Sequence, residues 1–190
     1  MQIISGIARG IKLSVPKGND VRPTSSRTRT ALFSSIGDFT GLTVVDLFAG
    51  SGSLGLEAAS RGAAVVVFIE QSKKHCDFIK ENIAKVTKAG VETEFHVVHG
   101  DVIRSLSNLR RLVDDVDITF GDPPYPVSDA MFSTVAADPK LAAYTNNQLI
   151  WEIPDRCENE TAFLMPKLWK MTRIRKFGRT EFRFYSIKND

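Results

Sequence analysis

A four-residue segment, Asp122-Pro123-Pro124-Tyr125, carries groups that could do chemistry on an amine. The Asp122 carboxylate and the Pro123 carbonyl oxygen can accept hydrogen bonds from one exocyclic amino group, which directs the nitrogen lone pair at a transferable methyl group. Two successive prolines make the turn rigid, so little conformational freedom is lost on binding. Tyr125 offers a flat face for stacking a base, worth about 1–3 kcal/mol in single-strand binders. We predict that Asp122, Pro123 and Tyr125 are catalytic through positioning.

A glycine-rich segment, DLFAGSGSLG at residues 46–55, follows an apolar run and precedes a helical pattern. Its glycines permit a tight turn and let the backbone approach a ligand closely. Asp46 lies where the pyrophosphate of a dinucleotide would approach, and its carboxylate suits a cationic cofactor better. S-adenosylmethionine carries a sulfonium and an ammonium group but no phosphate, so the segment favours this cofactor.

Two further acidic residues follow the next two apolar runs. Glu70 lies 24 positions after Asp46, the distance of one β-α-β unit, and could accept both ribose hydroxyls of a nucleoside. This feature fits NAD equally well. Asp101 could accept the exocyclic amine of adenine. The complete cofactor site that we predict comprises Asp46, Phe48, Gly50, Ser51, Gly52, Glu70, Asp101 and Val102.

Strand and helix patterns alternate from residue 42 onwards, which predicts an α/β fold. Apolar runs typical of buried parallel strands lie at residues 43–49, 64–70, 94–98, 116–121 and 148–153. Helical patterns lie at residues 54–60, 72–88, 102–113 and 131–143. A hairpin of residues 172–177 and 181–187 would close a seven-stranded, mostly parallel sheet with antiparallel strands. We expect one domain over residues 1–190, with a basic arm and helix at 1–40 and a Rossmann-like core at 41–190.

The arm preceding this core shows two short strand-like runs, residues 2–4 and 11–15, and then a helix that starts near Pro23. Ala31, Leu32, Phe33 and Ile36 of this helix fall on one apolar face. The arginines at positions 27 and 29 are expected to point away from that face.

Charge is unevenly distributed along the chain. The 25 basic and 22 acidic residues leave a formal charge of +3, but residues 1–40 carry +4, residues 41–150 carry −4 and residues 151–190 carry +3. Basic ends attract phosphate-rich partners. The composition predicts a cytoplasmic protein without a membrane segment or signal peptide, and the spacing of cysteine and histidine argues against a metal site. We expect a monomer, because no apolar surface repeat stands out.

These motifs together resemble Rossmann-like, S-adenosylmethionine-dependent amino-methyltransferases, whose cofactor motif matches DLFAGSG and whose catalytic motif matches DPPY. The N-terminal pattern narrows the resemblance to the RsmD family, through IISGIARG at 3–10, KL at 12–13, RPT at 22–24 and RTR at 27–29. The resemblance covers nearly the whole chain. It implies methylation of the guanine N2 amine of one nucleotide in 16S ribosomal RNA, either free or in an assembling small subunit.

The resemblance also implies residue roles. Asp46, Gly50 and Gly52 would lie at the methionine end of the cofactor, with Glu70 on the ribose and Asp101 near the adenine. RNA contacts are assigned to Arg9, Lys12, Arg22, Arg27 and Arg29. The chain departs from the family pattern at Ile11, Ser26, Thr30 and Ser34, which leaves the cofactor and catalytic motifs intact.

Three other functions fit part of the pattern. A methyltransferase acting on adenine N6 or cytosine N4 would use the same DPPY motif, although 190 residues leave little room for a separate target-recognition domain. An NAD-dependent oxidoreductase would explain the glycine turn and Glu70, but neither Asp46 nor DPPY. An RNA-binding module without turnover would explain the basic ends, but not the intact Asp122 and Tyr125.

Overall fold

The protein is described here by a computed structural model, which covers residues 1–15, 26–153, 160–164, 166–178 and 180–188; of Tyr125, Glu160 and Ala162 only the backbone is described. The predicted start of the first helix at Pro23, the assigned RNA contact Arg22 and the hairpin residue Arg179 lie outside these ranges.

A seven-stranded sheet forms the centre of the described chain, in the order β3-β2-β1-β4-β5-β7-β6. The strands are β1 Thr43–Asp46, β2 Val65–Glu70, β3 Glu94–His99, β4 Val116–Gly121, β5 Thr145–Ile153, β6 Trp169–Phe177 and β7 Thr180–Ile187. Strands β1 to β5 pair in parallel, and β7 pairs antiparallel with both β5 and β6. The predicted α/β fold, with a mostly parallel sheet and a C-terminal antiparallel hairpin, is confirmed.

Helices cover both faces of the sheet, as continuous apolar strands require. They are α1 Ser26–Ile36, α2 Ser53–Ser60, α3 Lys73–Lys88, α4 Val102–Leu106, α5 Ser128–Ala137 and α6 Pro139–Tyr144. Buried side chains of α1, α2 and α3 form a first core on one face, and those of α4, α5 and α6 form a second core on the other. Successive strand residues such as Val44 and Val45 alternate between the two cores.

Two helices predicted as continuous are interrupted. The helix predicted at 102–113 ends at Leu106 and is followed by a 3-10 turn at Leu109–Arg111. The helix predicted at 131–143 is split at Asp138, because a residue before proline avoids the helical conformation. The Asp138 side chain instead caps α6 by accepting hydrogen bonds from the backbone N–H groups of Lys140 and Leu141.

The N-terminal arm, residues 1–15, forms only one bridge, between Gln2 and Lys12, where two short strands were expected. Besides its own backbone hydrogen bonds, the arm is held by side chains of the core. The buried Glu57 accepts hydrogen bonds from the backbone N–H groups of Ile4 at 2.7 Å and Ser5 at 3.0 Å. The Ser60 hydroxyl accepts a bond from the N–H of Ala8 at 2.9 Å. The arm is therefore part of the packed structure over these residues.

Candidate active site

The predicted site residues converge at the carboxyl ends of three neighbouring strands. Asp46 ends β1, Glu70 ends β2, and Asp122 follows β4. Strand β1 lies between the other two, so their ends meet at one edge of the sheet. This edge is where open α/β sheets bind ligands. We call it the carboxyl edge.

Asp46 is a buried carboxyl with only one of its oxygens hydrogen-bonded. Its Oδ2 accepts a bond from the backbone N–H of Gly55 at 3.1 Å, whereas Oδ1 is buried without a hydrogen-bond partner among the described residues. Burial raises the pKa of Asp46 to about 7, and the nearby carboxylates of Asp122 and Glu70 add to the rise. An unpaired acidic oxygen at this position favours a cationic ligand.

Glu70, at the end of β2, stabilises the glycine-rich turn that follows the neighbouring strand β1. Its Oε2 accepts a hydrogen bond from the backbone N–H of Gly50 at 2.8 Å, and its Oε1 accepts one from the N–H of Ser72 at 2.7 Å. Gly50 and Gly52 have φ values of 54° and 79°, which glycine adopts without strain. Gly52 precedes the first residue of α2, so the turn opens directly into a helix.

The other predicted cofactor residues lie on the turns that follow β1 and β3. Asp101 caps α4, accepting a hydrogen bond from the backbone N–H of Arg104 at 3.1 Å, and Val102 is the buried first residue of that helix. Phe48 is half-buried and lies edge-on to Trp151, with ring centroids 5.7 Å apart. Ser51 is buried in the glycine turn.

The Asp-Pro-Pro-Tyr segment follows the last residue of β4, Gly121, which lies next to Trp151 of β5. A side chain at Gly121 would overlap the Trp151 ring, so this strand end needs glycine. The Trp151 Nε1–H donates a bond to the Ser128 hydroxyl at 3.2 Å, which fixes the ring. Asp122 is half-buried, Pro123 is buried, and a 3-10 turn begins at Tyr125.

The residues assigned to RNA fall into different environments. Arg9, Lys12 and Arg27 are exposed, as a contact with phosphate requires. Arg29 is fully buried, and its Nη2 donates to the backbone oxygen of Gln2 at 2.9 Å. Burial lowers the pKa of Arg29, and the negative charge of Glu57 opposes that effect. Our assignment of Arg29 to the RNA surface was wrong, because its side chain packs inside and supports the arm.

Sequence reasoning missed Asn82, which connects the arm to the cofactor turn. Asn82 lies buried on α3. Its Oδ1 accepts from the N–H of Ser14 at 2.7 Å, and its Nδ2 donates to the backbone oxygens of Ser14 at 2.8 Å and Ser51 at 3.1 Å. A buried asparagine on an otherwise apolar helix face was the only available signal, and it does not reveal such distant partners.

The described residues include neither a metal-binding cluster nor a membrane-spanning helix. No cluster of three or more histidine, cysteine, aspartate or glutamate side chains in the described ranges could hold a metal ion. None of the described helices is both long and apolar enough to cross a membrane.

Comparison with known proteins identifies the family. The family model described as conserved hypothetical protein 95 matches residues 1–186. The ribosomal RNA small subunit methyltransferase D of Escherichia coli is 31% identical over 186 residues, which cover 97% of this chain and 89% of the relative. The chain belongs to the RsmD family.

Other RsmD-family members and solved structures agree with this assignment. The ribosomal RNA small subunit methyltransferase D of Haemophilus influenzae is 28% identical and covers 97% of this chain and 93% of the relative. A solved Escherichia coli structure matches with a TM-score of 0.76 at 27% identity, covering 99% of this chain and 98% of that one. A hypothetical protein of Thermus thermophilus has the same TM-score at 25% identity, covering 98% and 99%.

Proposed function

We propose that this RsmD-family chain is an S-adenosylmethionine-dependent methyltransferase that modifies the guanine N2 amine of a nucleotide in small-subunit ribosomal RNA. One observation carries the proposal. Asp46, which we assign to the cofactor, ends β1, and Asp122, which we assign to the acceptor amine, follows the neighbouring strand β4, so both lie at the carboxyl edge. A methyl donor and an acceptor amine could therefore meet there.

The residues at this edge fit S-adenosylmethionine. The unpartnered Oδ1 of Asp46 could pair with the ammonium group of the methionine moiety. Gly50 has open space where a side chain would lie, so the backbone could approach the ligand. Glu70 could accept the ribose hydroxyls, although its oxygens already hold two backbone N–H groups. Phe48, Ser51, Gly52, Asp101 and Val102 would complete the site.

The chain would catalyse the transfer mainly by positioning. Bound S-adenosylmethionine would supply a methyl group that is already activated by its sulfonium. The Asp122 carboxylate and the Pro123 carbonyl would accept both amine hydrogens, so that the nitrogen lone pair faces the cofactor. As the N–CH3 bond forms and the S–CH3 bond breaks, Asp122 would stabilise the positive charge on nitrogen. The nitrogen then loses one proton, to Asp122 or to solvent, and S-adenosylhomocysteine leaves.

The substrate assignment rests on the relatives. The Escherichia coli and Haemophilus influenzae proteins are named small-subunit ribosomal RNA methyltransferases, and both align with nearly the whole chain. Exposed Arg9, Lys12 and Arg27 would contact RNA phosphates. The alternative is transfer to adenine N6 or cytosine N4, because an Asp-Pro-Pro-Tyr segment can hold either amine.

A methyl-transfer assay tests this function. Wild-type protein should transfer label from methyl-labelled S-adenosylmethionine to small-subunit RNA taken from cells that lack this gene, and not to RNA already modified. Asp122→Asn should lose at least a hundredfold in kcat and bind S-adenosylmethionine within about tenfold of wild type. Half-buried Asp129→Asn provides a carboxylate control in the next helix. A fully active Asp122→Asn variant would contradict the mechanism, and no transfer by wild type would contradict the function.

A further inference from the structure

We propose that the outer strand β6 carries an RNA-phosphate contact, made by Arg175 with Arg173 beside it. This inference rests on the proposed function and extends the substrate surface beyond the arm. Strand β6 lies at the edge of the sheet, next to β7. Arg175 is exposed, and Arg173 is half-buried.

The guanidinium of Arg173 is fixed on the face of the first core. Its Nη1 donates to the backbone oxygen of Ser35 in α1 at 2.9 Å, and its carbon lies 4.1 Å from the centre of the Phe184 ring. Burial lowers the pKa of Arg173, and the positive charge of Arg175 lowers it further. Two like charges are therefore held side by side, and a bound anion would reduce the repulsion between them.

The two faces of the hairpin differ in how their charges are neutralised. On the second-core face, Glu181 pairs with Lys176 at 3.0 Å and with Arg183 at 2.7 Å. On the first-core face, no carboxylate among the described residues lies within 4.0 Å of the guanidinium of Arg173 or Arg175. A carboxylate thus offsets cationic charge on one face of the hairpin, whereas none among the described residues does so for Arg173 and Arg175 on the other.

The strand register places Arg175 at the same height along the strand direction as Asp122. Gly121 of β4 pairs with Trp151 of β5, so Asp122 and Glu152 follow at the same level. Glu152 pairs with Phe182 of β7, which in turn pairs with Arg175. Three strand spacings separate the two positions, roughly 14 Å at about 4.8 Å each. This corresponds to about four nucleotide steps at the 3.4 Å rise of a stacked strand.

An RNA strand whose target base lies at Asp122 could therefore place a flanking phosphate on Arg175. The planar guanidinium of Arg175 has N–H donors arranged to bind a phosphate. The neighbouring Arg173 adds positive charge but does not occupy the phosphate position. Charged residues on an edge strand can also serve only to prevent pairing with another chain. The experiment must distinguish these two roles.

Lys170 provides the matched control. It is an exposed cation on the same strand, five residues before Arg175 and about 15 Å further from the carboxyl edge. Three variants, Arg175→Gln, Arg175→Lys and Lys170→Gln, would be compared in binding to protein-free small-subunit RNA over a range of salt concentrations. S-adenosylmethionine affinity and oligomeric state would be measured for each.

Arg175→Gln should weaken RNA binding about five- to tenfold and reduce the slope of log affinity against log salt by about 0.7–0.9, the loss of one phosphate contact. Arg175→Lys and Lys170→Gln should stay within about twofold of wild type, and S-adenosylmethionine affinity should not change. Equal losses in Arg175→Gln and Lys170→Gln would mean a general charge effect and overturn the inference.

Two further results would also overturn it. If Arg175→Gln binds RNA as the wild type does but self-associates, the role of Arg175 would be to prevent the edge strand from pairing with another chain. A loss seen on protein-containing subunit particles but not on protein-free RNA would assign the surface to a protein. The proposed function is judged separately, by whether the wild type transfers a methyl group to RNA and to which base.

Discussion

At the scale of single residues, Asp46 combines full burial, two neighbouring carboxylates and one oxygen that has no partner in the part of the chain that the structure describes. Its folded pKa of about 7 lies above the ordinary carboxyl pKa of 3.8. The folded protein therefore binds more protons than the unfolded chain between these pH values, and the stability that this proton contributes is lost as pH rises through about 7. A cationic ligand would reverse the preference by favouring the ionised form.

This reversal predicts that S-adenosylmethionine affinity of the wild type rises on the order of tenfold from pH 5.5 to 7.5, as the ionised fraction of Asp46 increases. Binding near pH 6 should release a proton. Asp46→Asn should bind more weakly at pH 7.5 and lack this part of the pH dependence. Isothermal titration in two buffers of different ionisation enthalpy measures both quantities. Identical pH profiles for wild type and Asp46→Asn would contradict the assigned role.

At the scale of secondary structure, α3 transmits the position of the arm to the cofactor turn. Asn82 bonds both Ser14 of the arm and the backbone oxygen of Ser51. A hydrogen bond lost at a buried site costs about 1–3 kcal/mol, because the partner is left unsatisfied. The turn should therefore be less well ordered without this side chain.

Asn82→Ala should weaken S-adenosylmethionine binding about tenfold and change kcat at saturating cofactor by less than about threefold, because the turn and not the amine site is altered. Thr87→Ala, at an exposed position of the same helix, is the control. Cofactor titration and steady-state kinetics separate the two effects. An unchanged cofactor affinity would show that the link to Ser51 has no role in binding.

The strands of the core could be predicted because buried parallel strands are continuous apolar runs, such as VVVFIE at residues 65–70. Helix ends were harder to predict. Pro139 begins a new helix rather than lying within one, and a local capping bond at Asp138 decides this. The role of Asn82 could not be predicted, because its partner Ser14 lies 68 residues away.

At the scale of the whole molecule, the chain's basic ends account for its net positive charge. Sequence placed Arg27 and Arg29 together outside the apolar face, but folding separates them, with Arg27 exposed and Arg29 buried beneath the arm. Hydrophobic periodicity could not foresee this, because the carbonyl of Gln2 and the charge of Glu57 stabilise the buried guanidinium. Arg9 and Lys12 remain exposed on the arm.

The double variant Arg9→Glu and Lys12→Glu should weaken RNA binding at least tenfold and flatten its salt dependence, because two phosphate contacts are lost. S-adenosylmethionine affinity should be unchanged. Lys88→Glu with Lys140→Glu makes the same change in net charge at exposed positions away from the arm. Binding measured at several salt concentrations distinguishes the two variants. Equal effects of both would mean that net charge, and not the arm, attracts RNA.

The most direct test of the central claim is to identify the modified nucleoside. Wild-type protein and isotopically labelled S-adenosylmethionine would be incubated with small-subunit RNA, and with small subunits, from cells lacking this gene. The RNA would then be digested to nucleosides and analysed by mass spectrometry. The account predicts label in N2-methylguanosine. Label in N6-methyladenosine or N4-methylcytosine would contradict the guanine assignment and retain methyl transfer, whereas no labelled nucleoside despite cofactor binding would contradict the proposed function.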